Sequence, residues 1–271
     1  MVVFGLATFP WRGGAVEDER IYSFAIVPQQ AASELVESWS PLLSWLTAKT
    51  DIQLRFVTAP SIPVFEQRLA QGEYDFAYMN PYHYTVFSQK PGYQALAKEK
   101  DRRIKGILVT RKDSSLKALK DLEGTTLVFP SPAAFAASIL PRAELRKQGI
   151  TFTPKYVSSH DSVYINVAKG FYPAGGGIPR TLEMTEESVR HDLKVLWTTQ
   201  GYTPHAIAAH PRVPAEVAQK LKSALLQMNE DREGRQLLDG IDFAGGVAAA
   251  TDADWDDVRA LDIDLLDTLL K

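Results

Sequence analysis

The sequence predicts an α/β protein of two lobes, each a mainly parallel β-sheet flanked by helices. Short apolar segments alternate with longer segments whose apolar residues recur every three or four positions, which is typical of strands followed by helices. This alternation begins near residue 21 and starts again near residue 104, which indicates a second lobe. Hydrophobic residues make up 45% and charged residues 23% of the 271 residues, so the composition is that of a folded globular chain.

The segments before residue 104 predict three strands and two helices. The strands are expected over 21–27, 51–58 and 74–79, and the second of them alternates apolar and polar residues as a half-buried strand does. The first helix, around 35–46, gathers its apolar side chains on one face. The second helix, over 61–71, has a proline in its first turn, where the missing N–H costs nothing. The order strand, helix, strand, helix, strand favours a parallel sheet.

After residue 104 the same reasoning predicts more strands and helices. The glycine-rich segment 174–177 is expected to be a short stretch with exposed backbone. Two helices follow near the end, one from Pro214 and one around Trp255 that reaches Leu269. The other predicted strands cover 104–110, 125–129, 152–157 and 194–198, and the other predicted helices cover 114–123, 133–148 and 162–169.

Composition excludes several classes of function. The chain has no cysteine, which excludes disulfide scaffolds, cysteine-ligated zinc, iron–sulfur clusters and thiol nucleophiles. Its net charge is -3, whereas a general nucleic-acid-binding protein needs a basic face to neutralise phosphates. We therefore predict no nucleic-acid partner.

Catalytic and metal-binding motifs are not recognised either. The five histidines include no pair four residues apart, as a helical zinc site requires. Ser159, His160 and Asp161 are the residue types of a catalytic triad, but consecutive side chains point in different directions. The acidic segment 252–257 lacks the glycine of a calcium loop and is interpreted as a helix N-terminus. We predict no catalytic residue, no metal and no cofactor, and a protein that is not an enzyme.

The loops after the predicted strands carry the candidate binding residues. Ligands of open α/β sheets bind at the carboxyl ends of the strands, and here those ends carry amides, aromatic rings and a histidine. Two alternatives stay open, because Tyr82 is as well explained by core packing and His160 by helix capping. The predicted ligand-binding residues are Gln29, Ser61, Tyr78, Asn80, Tyr82, Ala134, Phe135, Ala136, Ser159, His160 and Gly176.

Six short segments, taken together in their order and spacing, resemble one known family. They are 71–81 (QGEYDFAYMNP), 121–124 (DLEG), 131–132 with 140–142 (SP and LPR), 159–163 (SHDSV), 196–199 (LWTT) and 251–255 (TDADW). This combination resembles the phosphate, phosphite and phosphonate substrate-binding proteins of ABC transporters, which have the type II periplasmic binding fold. The resemblance extends from residue 21 to about residue 266.

The resemblance implies two lobes that are joined by two crossover strands and close on a ligand. Lobe one would comprise 20–105 and 202–271, and lobe two 106–201. The protein would be a monomer outside the cytoplasm, in the periplasm or tethered to a membrane, and would pass a small anionic ligand to an ABC permease. The alternative is a ligand-sensing input domain of a membrane signalling protein such as a histidine kinase.

The chain departs from the family at the expected anion site. The family commonly has a Ser-Thr-Ser cluster where this chain has Ala134, Phe135 and Ala136. A hydrogen bond from a hydroxyl to a charged ligand contributes about 1.5–3 kcal/mol to binding. Because these hydroxyls are missing here, we expect weak binding of 2-aminoethylphosphonate and simple alkylphosphonates. His160 is expected to donate to an anionic ligand, and the affinity is then expected to fall as the pH rises from about 5.5 to 8.

Residues 1–19 are interpreted as the end of a secretory signal or as a disordered N-terminus. An apolar run is followed by small residues and then by charged ones, as in a signal peptide, although no basic segment precedes it. The run is too short to cross a bilayer.

Overall fold

The computed structural model describes residues 20–266, in which helices pack on two separate β-sheets. The segment 1–19, interpreted above as a signal remnant or disordered terminus, lies outside the described residues, and so does Leu269 of the last predicted helix. The strands are β1 (Tyr22–Ile26), β2 (Leu54–Val57), β3 (Phe76–Met79), β4 (Gln94–Glu99), β5 (Ile107–Arg111), β6 (Thr125–Phe129), β7 (Phe152–Tyr156), β8 (Ala174–Gly177), β9 (Leu193–Thr198), β10 (Ala206–Ala209) and β11 (Val247–Ala249).

The α-helices connect these strands and cover the sheets. A short 3-10 turn at Leu119–Leu122 precedes β6, and another at Asp252–Trp255 leads into the last helix. The helices are α1 (Ala32–Thr50), α2 (Ile62–Ala70), α3 (Pro81–Phe87), α4 (Leu140–Lys147), α5 (His160–Ala168), α6 (Pro179–Met184), α7 (Glu187–His191), α8 (Ala215–Gln227), α9 (Arg232–Gly240) and α10 (Asp256–Arg259).

The first sheet has the strand order β11-β4-β10-β3-β1-β2. β1 pairs in parallel with β2 and β3, while β10 is antiparallel to both β3 and β4. β11 is antiparallel to β4. Strands β1 to β4 therefore point the same way, and β10 and β11 run against them.

The second sheet has the strand order β7-β6-β8-β5-β9. β6 is parallel to β7 and β8, and β5 is antiparallel to β8 and β9. All its strands except β5 therefore run in one direction. The predicted α/β fold with two mainly parallel sheets is confirmed.

Two chain segments cross between the sheets, one after β4 and one after β9. They pair through Ile104 and Tyr202, whose backbone N–H groups donate to each other's carbonyl oxygens at 2.8 and 2.9 Å. This is the predicted pair of crossover strands. A hinge can lie here, because only two segments would have to bend.

The cores of the two sheets are organised differently. The first sheet has one large cluster that includes Phe24, Trp39 and Phe76 and also residues 133–137 from the second-sheet half of the chain. The second sheet has two smaller clusters, one on each face. Successive residues of a strand point to opposite faces, so Leu127 belongs to one cluster and Val128 to the other. The segment 133–137 therefore packs against the first core rather than its own.

The glycine-rich segment was expected to be an exposed loop, and this is wrong. Ala174–Gly177 forms β8, a buried strand in the middle of the second sheet. The missing side chains allow neighbours to approach closely: a Cβ at Gly176 would overlap the carbonyl oxygen of Ala137, and one at Gly177 would overlap the ring of Tyr164. Glycine marks a close backbone approach here, not a loop.

The helix predicted over 133–148 is regular only at its end. Phe135–Ile139 forms a π-helical turn, in which Leu140 N–H donates to the carbonyl of Phe135 five residues back. Pro141 has no N–H for the carbonyl of Ala137, so an α-helical bond is impossible there. The strands β4, β10 and β11 and the helices α3, α6, α7 and α9 were not predicted. Each is short, so its hydrophobic period is sampled over too few positions to be recognised.

Candidate ligand-binding site

Loops of both sheets enclose a small cavity, called here the inner cavity. Its free space is about 10 Å³, which is room for about one water molecule. Most of the lining is apolar, and the polar side chains in it are amides and imidazoles. The lining residues are Val27, Gln29, Ile62, Asn80, Ile104, Ala134, Phe135, Ala136, Ala137, His160, Ile178 and His205.

The wall from the first sheet carries three polar side chains, those of Gln29, Asn80 and His205. Gln29 follows β1, Asn80 follows β3 and His205 precedes the antiparallel β10, so neighbouring strands bring them to one edge of the sheet. Gln29 Nε2 lies 3.0 Å from His205 Nε2. The imidazole of His205 stacks on the ring of Tyr78, with 4.9 Å between ring centroids and 19° between planes.

Asn80 is held by a buried network behind the cavity wall. Its Oδ1 accepts from His83 N–H at 2.8 Å and caps α3, and its Nδ2 lies 2.9 Å from His83 Nε2. His83 Nε2 in turn lies 2.9 Å from Glu66 Oε1, and all three side chains are buried. The network fixes the amide, whose Nδ2 also donates to the carbonyl of Ala133 at 3.3 Å.

The wall from the second half is apolar where the π-helical turn faces the cavity. Ala134, Phe135 and Ala136 line it, and each is no more than 3% exposed. The ring of Phe135 meets that of Tyr202 edge-on, with 5.4 Å between centroids and 85° between planes. Tyr202 lies on a crossover strand, so Phe135 joins the cavity wall to the place where the chain crosses between sheets.

His160 begins α5 and is the one polar side chain that this second wall contributes. Its Nδ1 lies 2.9 Å from Thr181 Oγ1, and only 1% of the residue is exposed. Burial, assisted by the nearby Arg180 guanidinium, lowers the pKa of His160 to about 3. The expectation of an imidazolium that titrates near neutral pH does not hold for this conformation, because the ring is desolvated.

His205 is neutral for the same reason. Burial lowers its pKa well below the usual value, and the charge of Arg180 acts in the same direction. The inner cavity therefore offers hydrogen bonds from two neutral imidazoles and two amides.

Four contacts cross the cavity region and join the two halves. His160 N–H donates to the carbonyl of Gln29 at 2.9 Å, and Asn80 Nδ2 donates to Ala133. Ala31 N–H donates to Asp161 Oδ2 at 2.7 Å, and Arg180 Nη2 donates to Tyr78 Oη. The protein is therefore in a closed arrangement.

A larger cleft adjoins the inner cavity and is called here the outer cleft. Its volume is about 410 Å³, and it shares Ile104, Ile178 and His205 with the inner cavity. The other residues that line it are Glu99, Asp101, Arg102, Arg103, Lys105, Pro179, Arg180 and Pro204. Together the two spaces reach the size of common small-molecule sites.

The structure brings six of the predicted residues to one place. Gln29, Asn80, Ala134, Phe135, Ala136 and His160 all line the inner cavity. Tyr78 stands beside it, under His205 and Arg180, and burial raises the pKa of its hydroxyl to about 12.

The other four predicted residues have local roles. Ser61 caps α2 and Ser159 caps α5, each accepting from an N–H three residues on. Tyr82 is buried, and its Oη accepts from Leu266 N–H at 3.0 Å. Gly176 lies within β8 against Ala137. These four are not among the residues that line the inner cavity.

Sequence reasoning missed His205, Ile178 and Arg180. His205 precedes the short strand β10, which was not predicted, and this histidine was considered only for metal-ligand spacing. Ile178 and Arg180 follow the glycine-rich segment, and recognising that segment as a strand would have placed them at a strand end.

The histidines and carboxylates of the described residues are not grouped as a metal site or a catalytic triad would group them. Within 20–266, no three His, Asp or Glu side chains are placed to hold a metal ion. Ser159 Oγ bonds to Ser162 and His160 to Thr181, so the triad residue types are not joined to one another. None of the helices in this part of the chain has both the length and the apolar character of a membrane span.

Comparison with known proteins gives a family match over most of the chain. The family model described as "ABC transporter, phosphonate, periplasmic substrate-binding protein" matches residues 24–255. A curated relative, the phosphate-import protein PhnD of Mycolicibacterium smegmatis, is 24% identical over 277 aligned positions, which cover 88% of this chain and 83% of that protein.

Solved structures show the same fold. A binding protein of an ABC phosphonate transporter from Pseudomonas aeruginosa aligns with a TM-score of 0.83 and 17% identity over 90% of this chain and 86% of its own. PhnD1 of Prochlorococcus marinus, solved with methylphosphonate, aligns with a TM-score of 0.80 and 18% identity over 90% of this chain and 97% of its own. At these identities the likeness concerns the fold.

Proposed function

Because the chain belongs to the family of periplasmic substrate-binding proteins of phosphonate ABC transporters, we propose that it captures a small organic anion between its two lobes. The family match agrees with the prediction of a transporter component and not with the alternative of a sensor domain. We further propose that the protein acts as a monomer outside the cytoplasm, delivers its ligand to an ABC permease and catalyses no reaction.

One observation carries this proposal: polar groups from both halves of the chain converge on the inner cavity and already bond across it. Gln29 and Asn80 come from the first sheet, and His160 comes from the second. A ligand that contacts both walls favours the closed state, because the open state offers it only part of those contacts. We propose lobes of 20–105 with 202–271 and of 106–201, and described residues from both ranges line this cavity.

Phosphate and methylphosphonate are the ligands named for two of the relatives. One wall of the inner cavity in this chain is poorly suited to such small anions. Ala134, Phe135 and Ala136 supply no hydroxyl to the inner cavity. An anion without charged or hydroxyl partners would be costly to bury there. We propose that the natural ligand is a larger organic anion than these two.

The test is native mass spectrometry of the protein purified without denaturation. We expect a bound small molecule that is released on unfolding and is then identified by its mass. His160→Ala should lose most of this bound molecule, because the wall donor that faces Gln29 and Asn80 is removed.

His191→Ala is the matched control, since this histidine is exposed at the end of α7. It should retain the bound molecule like the wild type. Equal retention by His160→Ala would contradict the proposed site.

A further inference from the structure

The inner cavity and the outer cleft are neighbours that share Ile104, Ile178 and His205 but differ in charge. Of the described residues, those that line the inner cavity include no Asp, Glu, Lys or Arg. The outer cleft is lined by four cationic side chains, Arg102, Arg103, Lys105 and Arg180, and by the two acids Glu99 and Asp101. The positive charge therefore lies outside the cavity where both walls meet.

Arg180 is the most deeply placed of these cations. Its side chain is 11% exposed, and its guanidinium lies over the rings of Tyr78 and Phe243, 5.5 and 5.7 Å from their centroids. These cation–π contacts fix the planar group in one position. A fixed guanidinium is suited to bind a carboxylate or phosphonate with two parallel hydrogen bonds.

The N–H groups of Arg180 are only partly used by the protein. A guanidinium has five N–H donors, and among residues 20–266 the one hydrogen bond that Arg180 makes is to Tyr78 Oη. The nearest carboxylate oxygen, Glu99 Oε2, is 4.0 Å from Nη1, which is beyond hydrogen-bond length. Glu99 also bonds to Arg102 at 3.1 Å, so Arg180 shares its counter-ion.

The other cations of the outer cleft divide into paired and unpaired ones. Arg102 is bound to Asp242 as well as Glu99, and Arg103 contacts Asp257. Lys105 is exposed, and no carboxylate of the described residues lies within 4.0 Å of its amine. Arg180 and Lys105 therefore have the capacity to bind an added anion.

We propose that the outer cleft binds the anionic group of the ligand through Arg180 and Lys105, while the uncharged end of the same molecule packs on Ile104, Ile178 and His205, where the cleft adjoins the inner cavity. This rests on the proposed function and specifies the substrate class: an organic anion with an apolar or neutral hydrogen-bonding end. The outer cleft, at about 410 Å³, has room for the whole molecule, and Ile104 and Ile178, which also line the inner cavity, give it an apolar surface there.

The opposite orientation is disfavoured by desolvation. An anionic head in the inner cavity would lie among aliphatic side chains, Phe135 and neutral imidazoles, with no cation in the lining. A buried charge without a partner costs several kcal/mol, whereas an alkyl end gains from the same surroundings.

The orientation is tested with a series of n-alkylphosphonates from methyl to butyl, titrated by calorimetry. If the alkyl end packs on Ile104, Ile178 and His205, each added methylene should tighten binding about fourfold. If the anionic head lay at these residues instead, the longer chain would extend along the charged part of the outer cleft, and the affinity would be flat or would fall. A flat or falling series, or no heat from n-butylphosphonate at millimolar concentration, would overturn the proposal.

The residues are tested with Lys105→Gln against the matched control Lys155→Gln, an exposed lysine on the edge strand β7. Lys105→Gln should weaken n-butylphosphonate about threefold to fivefold with an unchanged Tm. Arg180→Lys should weaken it about tenfold or more, because the charge remains but the planar fork is lost. Unchanged affinity in Lys105→Gln and in Arg180→Lys would also overturn the proposal.

These experiments distinguish a failure of the outer-cleft proposal from a failure of the proposed binding function. If His160→Ala loses the natural bound molecule while neither the alkyl series nor the Lys105 and Arg180 variants behave as expected, the binding function stands and the outer subsite falls. If the wild type carries no molecule that His160→Ala loses, the proposed function fails whatever the phosphonates do.

Discussion

The inner cavity and the outer cleft share three residues but respond to burial in opposite ways. His160 and His205 give up their protons, because an imidazole titrates near pH 6.5 in water and desolvation disfavours its charged form. Arg180, with a side chain that is 11% exposed, brings a guanidinium to the outer cleft at almost the same depth. Residue type therefore decides which of two adjacent spaces is neutral and which is cationic.

The largest expected effect comes from Gly176→Ala, which would displace the π-helical turn that forms one wall of the inner cavity. The new methyl group would overlap the carbonyl oxygen of Ala137 and the ring of Phe129, and neither can move without shifting buried backbone or core. We expect a loss of about 3 kcal/mol in the free energy of unfolding, measured by chemical denaturation.

Gly240→Ala is the control for this prediction. It lies at the end of α9, and no atom stands within 4 Å of an added Cβ. Its stability should equal or slightly exceed that of the wild type. Similar stabilities for the two variants would contradict the close packing of β8 against the π-helical turn.

The second prediction concerns the neutral histidines. The pKa of His160 is about 3 when folded and about 6.5 when unfolded, so the unfolded chain binds more protons between these values. The contribution of His160 to the free energy of unfolding is fully present above pH 6.5 and decreases as the pH falls below that value. Between about pH 7.5 and 5 the loss is about 2 kcal/mol.

Unfolding titrations of wild type and His160→Asn at several pH values test this, since asparagine retains a hydrogen-bonding group near Thr181. The pH dependence should be shallower in His160→Asn by that amount. His191→Asn, an exposed site, should keep the wild-type dependence. Parallel curves for wild type and His160→Asn would show that the ring is not desolvated.

The smallest expected effect is a change in ligand affinity in Phe135→Ser, which makes the inner cavity more like an oxyanion site but also destabilises the fold, because a buried ring is removed. The substitution removes the ring that fills the wall and adds a hydroxyl. We expect methylphosphonate to bind about tenfold more tightly than to wild type, which corresponds to about 1.4 kcal/mol. Phe135→Ala provides the space without the hydroxyl, and equal affinity in both variants would mean that the hydroxyl contributes nothing.

Much of the site could be predicted because strand ends are recognisable in sequence. Gln29 and Asn80 follow buried apolar strands and His160 follows the half-buried strand β7, and the carboxyl ends of parallel strands meet at one edge of a sheet. Tyr82 lies two positions after Asn80, on α3, and its hydroxyl accepts from Leu266 N–H, so it is not among the residues that line the inner cavity. Ser61 and Ser159 are at strand ends too, but their hydroxyls cap helices.

The sequence by itself determined the order of the main strands and helices, the two-lobed α/β class and the family, because local hydrophobic period and short motifs encode them. Only the tertiary structure decided that 174–177 is a central strand, that His205 and Arg180 adjoin the cavity, and that charge is separated between two spaces. The physical reason is that burial and counter-ions come from distant segments: Arg180 meets Tyr78 and Glu99 across the two halves, and no local pattern records such contacts.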